Sequence, residues 1–139
     1  MKKLVTLFIA TLLASSVSAQ PDKDWWACQI VESVGMSWEN GRWKATKFNL
    51  DPPFVLMSDG NGGLTEESVA KALTMVEGAE SVTTCLPPSI GKVTCVATGS
   101  TLFFHLKRGM GGISDLYGAT SESDNRDTLA VDAFTCTKG

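Results

Sequence analysis

The sequence predicts a mainly β domain: an antiparallel small barrel or sandwich of about eight strands with one inserted α-helix over residues 66–77. Three observations predict it. Apolar residues alternate at period two from Trp26 onward. Tight turn signals recur at Asn40-Gly41, Pro87-Pro88-Ser89-Ile90-Gly91 and Gly109-Met110-Gly111-Gly112. A single stretch, after Thr65, carries an apolar stripe at helical spacing.

Residues 1–19 read as a cleavable signal peptide. Lys2 and Lys3 make a basic start, Leu4 to Leu13 is apolar apart from two threonines, and Val17-Ser18-Ala19 supplies the small residues of a cleavage site. The apolar stretch is half of the roughly 20 residues that a membrane-spanning helix needs. Residues 20–139 are then a single disulfide-stabilised domain of 120 residues, long enough for a core of its own. Against 15 acidic residues the whole chain has 12 basic ones, and loss of Lys2 and Lys3 leaves 10, a net charge of about −5. An acidic domain without a basic cluster suits neither nucleic acid nor an anionic membrane. The expected location is the periplasm or the medium.

The first strand places Trp26, Cys28, Ile30, Val34, Met36 and Trp38 on one face, with Glu32 as its charged member. Asn40-Gly41 predicts a two-residue hairpin turn, setting Glu39 opposite Arg42, Trp38 opposite Trp43 and Met36 opposite Ala45. Gly35 is a candidate bulge. A third strand is expected over Phe54–Met57. Ser58 to Gly63 reads as a polar loop and Thr65 as an N-cap. Glu66 and Glu67 follow in the first helical turn; Val69, Ala72, Leu73 and Val76 form the buried stripe, and Gly78 stops the helix. Further strands are expected near 82–86, 92–98 and 101–107. After a glycine turn over 109–112 come strands from Ile113 to Thr120 and from Leu129 to Thr137.

All four cysteines follow the signal, and an even count in an exported chain predicts disulfides. Four cysteines allow three pairings. The turn at 87–91 favours Cys85–Cys95, which leaves Cys28–Cys136 to tie the first strand to the last. Metal binding is not expected, since no cysteine pair lies two to four residues apart and there is one histidine. No cofactor motif is present.

Four residues are candidates for ligand binding: Trp25, Trp26, Glu32 and His105. The four tryptophans fall within nineteen residues, and clustered aromatics form recognition patches as readily as cores. Core packing is the expectation for Trp38 and Trp43, with Trp25 and Trp26 open to either role. Glu32 is either a carboxylate inside the barrel, with a raised pKa, or a solvent-facing residue turned outward at Gly35, the favoured alternative. His105 lies in Leu102-Phe103-Phe104-His105-Leu106, where a strand would set it on the face opposite Leu102, Phe104 and Leu106. Ser121 to Asp127 offers oxygen ligands without calcium-loop spacing and reads as a solvated turn. No nucleophile elbow, phosphate loop or zinc-helix motif occurs.

Trp26-Ala27-Cys28-Gln29, Gly41-Arg42-Trp43-Lys44, the segment Thr65 to Leu73, and the ending from Arg126 through Phe134-Thr135-Cys136 resemble a set of small exported proteobacterial proteins of uncharacterised function. The resemblance implies an envelope location and carries no activity. The leading expectation is a non-enzymatic binding or inhibitor-type domain, its partner a protein, small molecule or glycan of the envelope. The alternatives are a small periplasmic hydrolase using Glu32 or His105, and an envelope structural protein.

Overall fold

The computed structural model describes residues 23–77, 82–116 and 128–139. The signal segment, Gly78 and the acidic loop Ser121–Asp127 lie outside them. The strands are β1 (Trp25–Glu39), β2 (Arg42–Lys47), β3 (Phe54–Met57), β4 (Thr84–Cys85), β5 (Lys92–Val96), β6 (Ser100–His105), β7 (Met110–Asp115) and β8 (Thr128–Lys138); the helix is α1 (Glu66–Glu77). They form one antiparallel sheet in the order β2-β1-β8-β7-β6-β5-β4, with β3 also paired to β1. The sheet does not close, yet its first and last strands are neighbours, as expected. β1 is long enough to hold β3 along its first residues and β2 along its last ones, both on the side away from β8.

The β1–β2 hairpin has the expected register, Glu39↔Arg42 and Trp38↔Trp43. Asn40 and Gly41 have φ of 51° and 75°, the left-handed pair that a type I′ turn needs. The charge beside the turn goes elsewhere: Glu39 pairs with Lys44 at 2.6 Å rather than with Arg42. Thr65 caps α1, its Oγ1 accepting from the Ser68 backbone N–H at 3.4 Å. Val69, Ala72 and Leu73 then turn into the core.

That core lies between α1 and the sheet's inner face. Trp26, Cys28 and Ile30 of β1, Phe54 and Leu56 of β3, Val93 and Cys95 of β5, Leu102 and Phe104 of β6, Ile113 of β7 and Phe134 of β8 are all buried in it. Phe134 stacks on Phe104 at 5.9 Å between ring centroids and meets Phe54 edge-on at 5.2 Å. Both predicted disulfides are present, Cys28–Cys136 and Cys85–Cys95, and each joins residues directly opposite on neighbouring strands.

Three expectations need correction. The bulge in β1 falls between Ile30 and Glu32, not at Gly35. Val31 is the extra residue, so beyond it the parity reverses: Ser33 turns inward, while Glu32, Val34 and Met36 turn out. Gly35 serves close approach instead, since a Cβ there would stand 1.7 Å from the Leu129 carbonyl oxygen. Second, the parity change takes Trp38 and its partner Trp43 out of the core. They are half-buried, edge to face at 5.3 Å, and Trp26 is the core tryptophan. Third, Gly111 and Gly112 belong to β7, and the turn before them is Leu106–Gly109. Gly111 stands opposite Phe134, whose ring occupies the space a side chain would fill: an added Cβ would lie 2.4 Å from its Cζ.

Candidate functional site

A cleft of about 750 Å³ opens where the first residues of β1 and the last of β8 meet the β6–β7 turn and the loop after β3. Trp26, Leu106 and Cys136 give it an apolar floor. Its walls are glycine-rich, with Gly60 and Gly62 from the loop after β3, Gly91 from the β4–β5 turn and Gly109 from the β6–β7 turn. The loop is held by Asp59, whose carboxylate accepts backbone N–H groups of Asn61 and Gly63 at 2.7 and 2.9 Å. Gly60 and Gly62 have φ above 80°, and side chains built on them would meet nothing. Bare backbone therefore faces the open space on that side.

Charge in the cleft is opposite to that of the whole chain. Lys23, Lys107, Arg108 and Lys138 line it, against Asp24 and Asp59. Lys138 is neutralised by Asp24 at 2.8 Å, and Asp59 is committed to its own loop. Among the described residues Lys23, Lys107 and Arg108 have no carboxylate partner. Three cations thus border an apolar floor. The sequence hides this cluster, because its members come from residues 23, 107, 108 and 138 and meet only in the fold.

The four sequence candidates do not converge. Trp26 is in the cleft floor, packed edge-on to Phe104 at 5.4 Å. Trp25 is exposed on the opposite side of the same strand. Glu32 faces solvent in an ion pair with Lys47 at 2.7 Å. His105 is half-buried at the end of β6, beside a shallow apolar groove of about 510 Å³ on the sheet's outer face. Its Nδ1 is buried without a hydrogen-bond partner.

A further group escaped the sequence reading. Asp132 of β8 is 1 % exposed and inward-facing, across from Ser33. Burial pushes its carboxyl above the usual carboxylate range; a hydrogen bond from Ser33 opposes this and the nearby Asp115 adds to it. Asp51 is also raised, by burial and then by Asp132. Period-two counting back from Phe134 places Asp132 on the inner face, a signal that was available in the sequence.

Among the described residues no group of three or more histidine, cysteine, aspartate or glutamate side chains is placed to hold a metal ion, and no helix is long and apolar enough to cross a membrane. The four cysteines are all bridged, a pattern that fits an oxidising environment outside the cytoplasm. No family model, curated protein or solved structure matches the chain.

Proposed function

We propose that this chain is an exported binding domain rather than an enzyme, and that it seats a small anionic ligand in the cleft floored by Trp26. One observation carries this reading: Lys23, Lys107 and Arg108 stand without carboxylate partners around an apolar floor. Cations at the rim of a partly desolvated cleft attract a carboxylate or a phosphate, and the tryptophan and disulfide below favour an apolar body attached to it. The signal segment would deliver the chain to the periplasm or the medium, where both disulfides form and persist. A hydrolase built on His105 is less well supported. No group orients its Nδ1, and Glu32 is held by Lys47, so the acid–base relay that such chemistry needs is missing among the described residues.

The test is a thermal-shift and tryptophan-emission titration of the purified protein against aromatic carboxylates, uronic acids and sugar phosphates. Saturable binding by one class is expected. A ligand at 100 times its dissociation constant adds about 2.7 kcal/mol to stability. The double variant Lys107→Ala, Arg108→Ala should keep the fold and weaken binding at least tenfold. Binding that ignores this change, or no binding by any of the three classes, refutes the proposal.

A further inference from the structure

The outer face of the sheet breaks the pattern of an antiparallel sheet whose second side meets water. Such a face alternates toward polar residues. Here Val34 and Met36 of β1, Val131 of β8, Phe103 of β6 and Met110 of β7 all stand exposed on the side away from α1. Phe103 and Val131 are each 53 % exposed. Among the described residues, charge on this face is confined to Glu32, Lys47 and Lys92, and the first two neutralise each other. The six strands of the main path that have five or more residues span roughly 24 Å at ~4.8 Å per step, and six residues of strand span about 20 Å. That flat footprint is a little over half of the roughly 800 Å² per partner of a standard interface, before the relief of the side chains is added.

We propose that this face is covered by a second copy of the same chain, giving a two-fold dimer in which two sheets stack back to back. Two observations select a copy over another occupant. The described part of the face carries one uncompensated charge, Lys92 at the groove's edge, on a chain of net charge −3, so two copies meet there with little like-charge repulsion, whereas a highly charged partner would leave its own charge unpaired. It also carries a knob and a hole together. Phe103 projects beside the groove of about 510 Å³, floored by Gly112 and Ala133 and walled by Val31. A two-fold axis needs that self-complementarity, because each surface must supply what the other accepts. Gly112 keeps the groove open, being the one outward position of β7 without a side chain. The bulge at Val31 supplies the wall and sends Val34 and Met36 to the same face. Stacked sheets at about 10 Å would complete a sandwich of which each chain holds one half.

The experiment is sedimentation equilibrium on protein exported from the full-length gene, from 1 to about 200 µM, with circular dichroism and melting as checks of the fold. The wild type is expected to be a dimer over most of this range. Phe103→Asp and Val131→Asp replace exposed side chains, so each should retain the melting profile and raise the dimer dissociation constant at least ~30-fold, as central interface residues do. Ile90→Asp changes an apolar residue that is 93 % exposed but lies in the β4–β5 turn, and it should leave the dimer intact. A wild type that stays monomeric at 200 µM overturns the proposal. So does a dimer that survives both Phe103→Asp and Val131→Asp, or one that Ile90→Asp dissociates equally well. Because no cleft residue is altered, the outcome is independent of ligand binding.

Discussion

Replacing Cys28 and Cys136 together by alanine removes a bridge between residues 108 apart, whereas replacing Cys85 and Cys95 removes one between residues 10 apart. If a disulfide acts by restricting the unfolded chain, the loop length sets the loss: about 4.8 kcal/mol for the separation of 108 and about 2.7 kcal/mol for that of 10. The comparison is well balanced. Each pair has one fully buried member and one half-buried member, so the packing lost on truncation is similar. Each pair also joins directly opposed residues on strands that stay hydrogen-bonded without it. The expected difference is therefore about 2 kcal/mol, with the Cys28/Cys136 variant the weaker, read from urea unfolding of the two double variants against the parent. In a domain whose total stability is of order 5–15 kcal/mol, losing the long bridge leaves a small margin at 37 °C. The m-value should rise, since the unfolded chain is freed to expand. Equal losses, or a greater loss for Cys85/Cys95, would refute the reasoning and show that β1 and β8 stay close in the denatured state.

Asp132→Asn should make the protein more stable at neutral pH and change little in acid. The folded carboxyl titrates above its unfolded value, so the wild type loses stability as pH rises from about 3.9 through the folded pKa; the gap between variant and wild type in melting temperature should open across that window. A gap that is largest in acid would contradict it. Gly35→Ala forces β1 and β8 apart, because the new Cβ would meet a backbone oxygen that cannot rotate away. It should cost 2 kcal/mol or more, at roughly the upper end of overpacking penalties. Gly41→Ala meets no neighbour and only strains a left-handed residue, costing about 1 kcal/mol. Chemical denaturation of the two variants gives the order directly.

Much of the fold was legible because its signals are local. Asn40-Gly41 dictates both a turn type and a register, and the Trp38–Trp43 pair followed from counting outward. The Pro87–Gly91 turn placed Cys85 opposite Cys95 in the same way. What the sequence concealed depends on neighbours across strands. Nothing around Val31 announces a bulge, because the reason to insert a residue there is the register with β8. Gly111 and Gly112 carry the composition of a turn, and only the Phe134 ring across from Gly111 makes them strand. The cleft was hidden for the same cause, its cations arriving from both ends of the chain and from the β6–β7 turn.

The bulge at Val31 sets the facing of most of the second half of β1. With alternation unbroken from Trp26, the residues Glu32, Val34, Met36 and Trp38 would all share the core face, and a charge would be buried in it. Shifting the parity at Val31 releases that charge to Lys47 on the surface and sends three apolar side chains out with it. Ser33 takes the inward position opposite Asp132, so the same shift gives the buried aspartate its hydrogen-bond partner. A single inserted residue thus moves polarity inward and hydrophobicity outward over the second half of the longest strand. Asp132 faces inward by the alternation of its own strand, so in an isolated monomer the cost of the exchange falls on the outer face, where it leaves valine and methionine in water. Deleting Val31 would restore the naive parity, and if the outer face had no partner the deletion should be tolerated or even stabilising once Glu32 is also made apolar. A face buried against a second copy predicts the reverse, since the deletion would turn Val34 and Met36 inward and strip the interface of its β1 contribution.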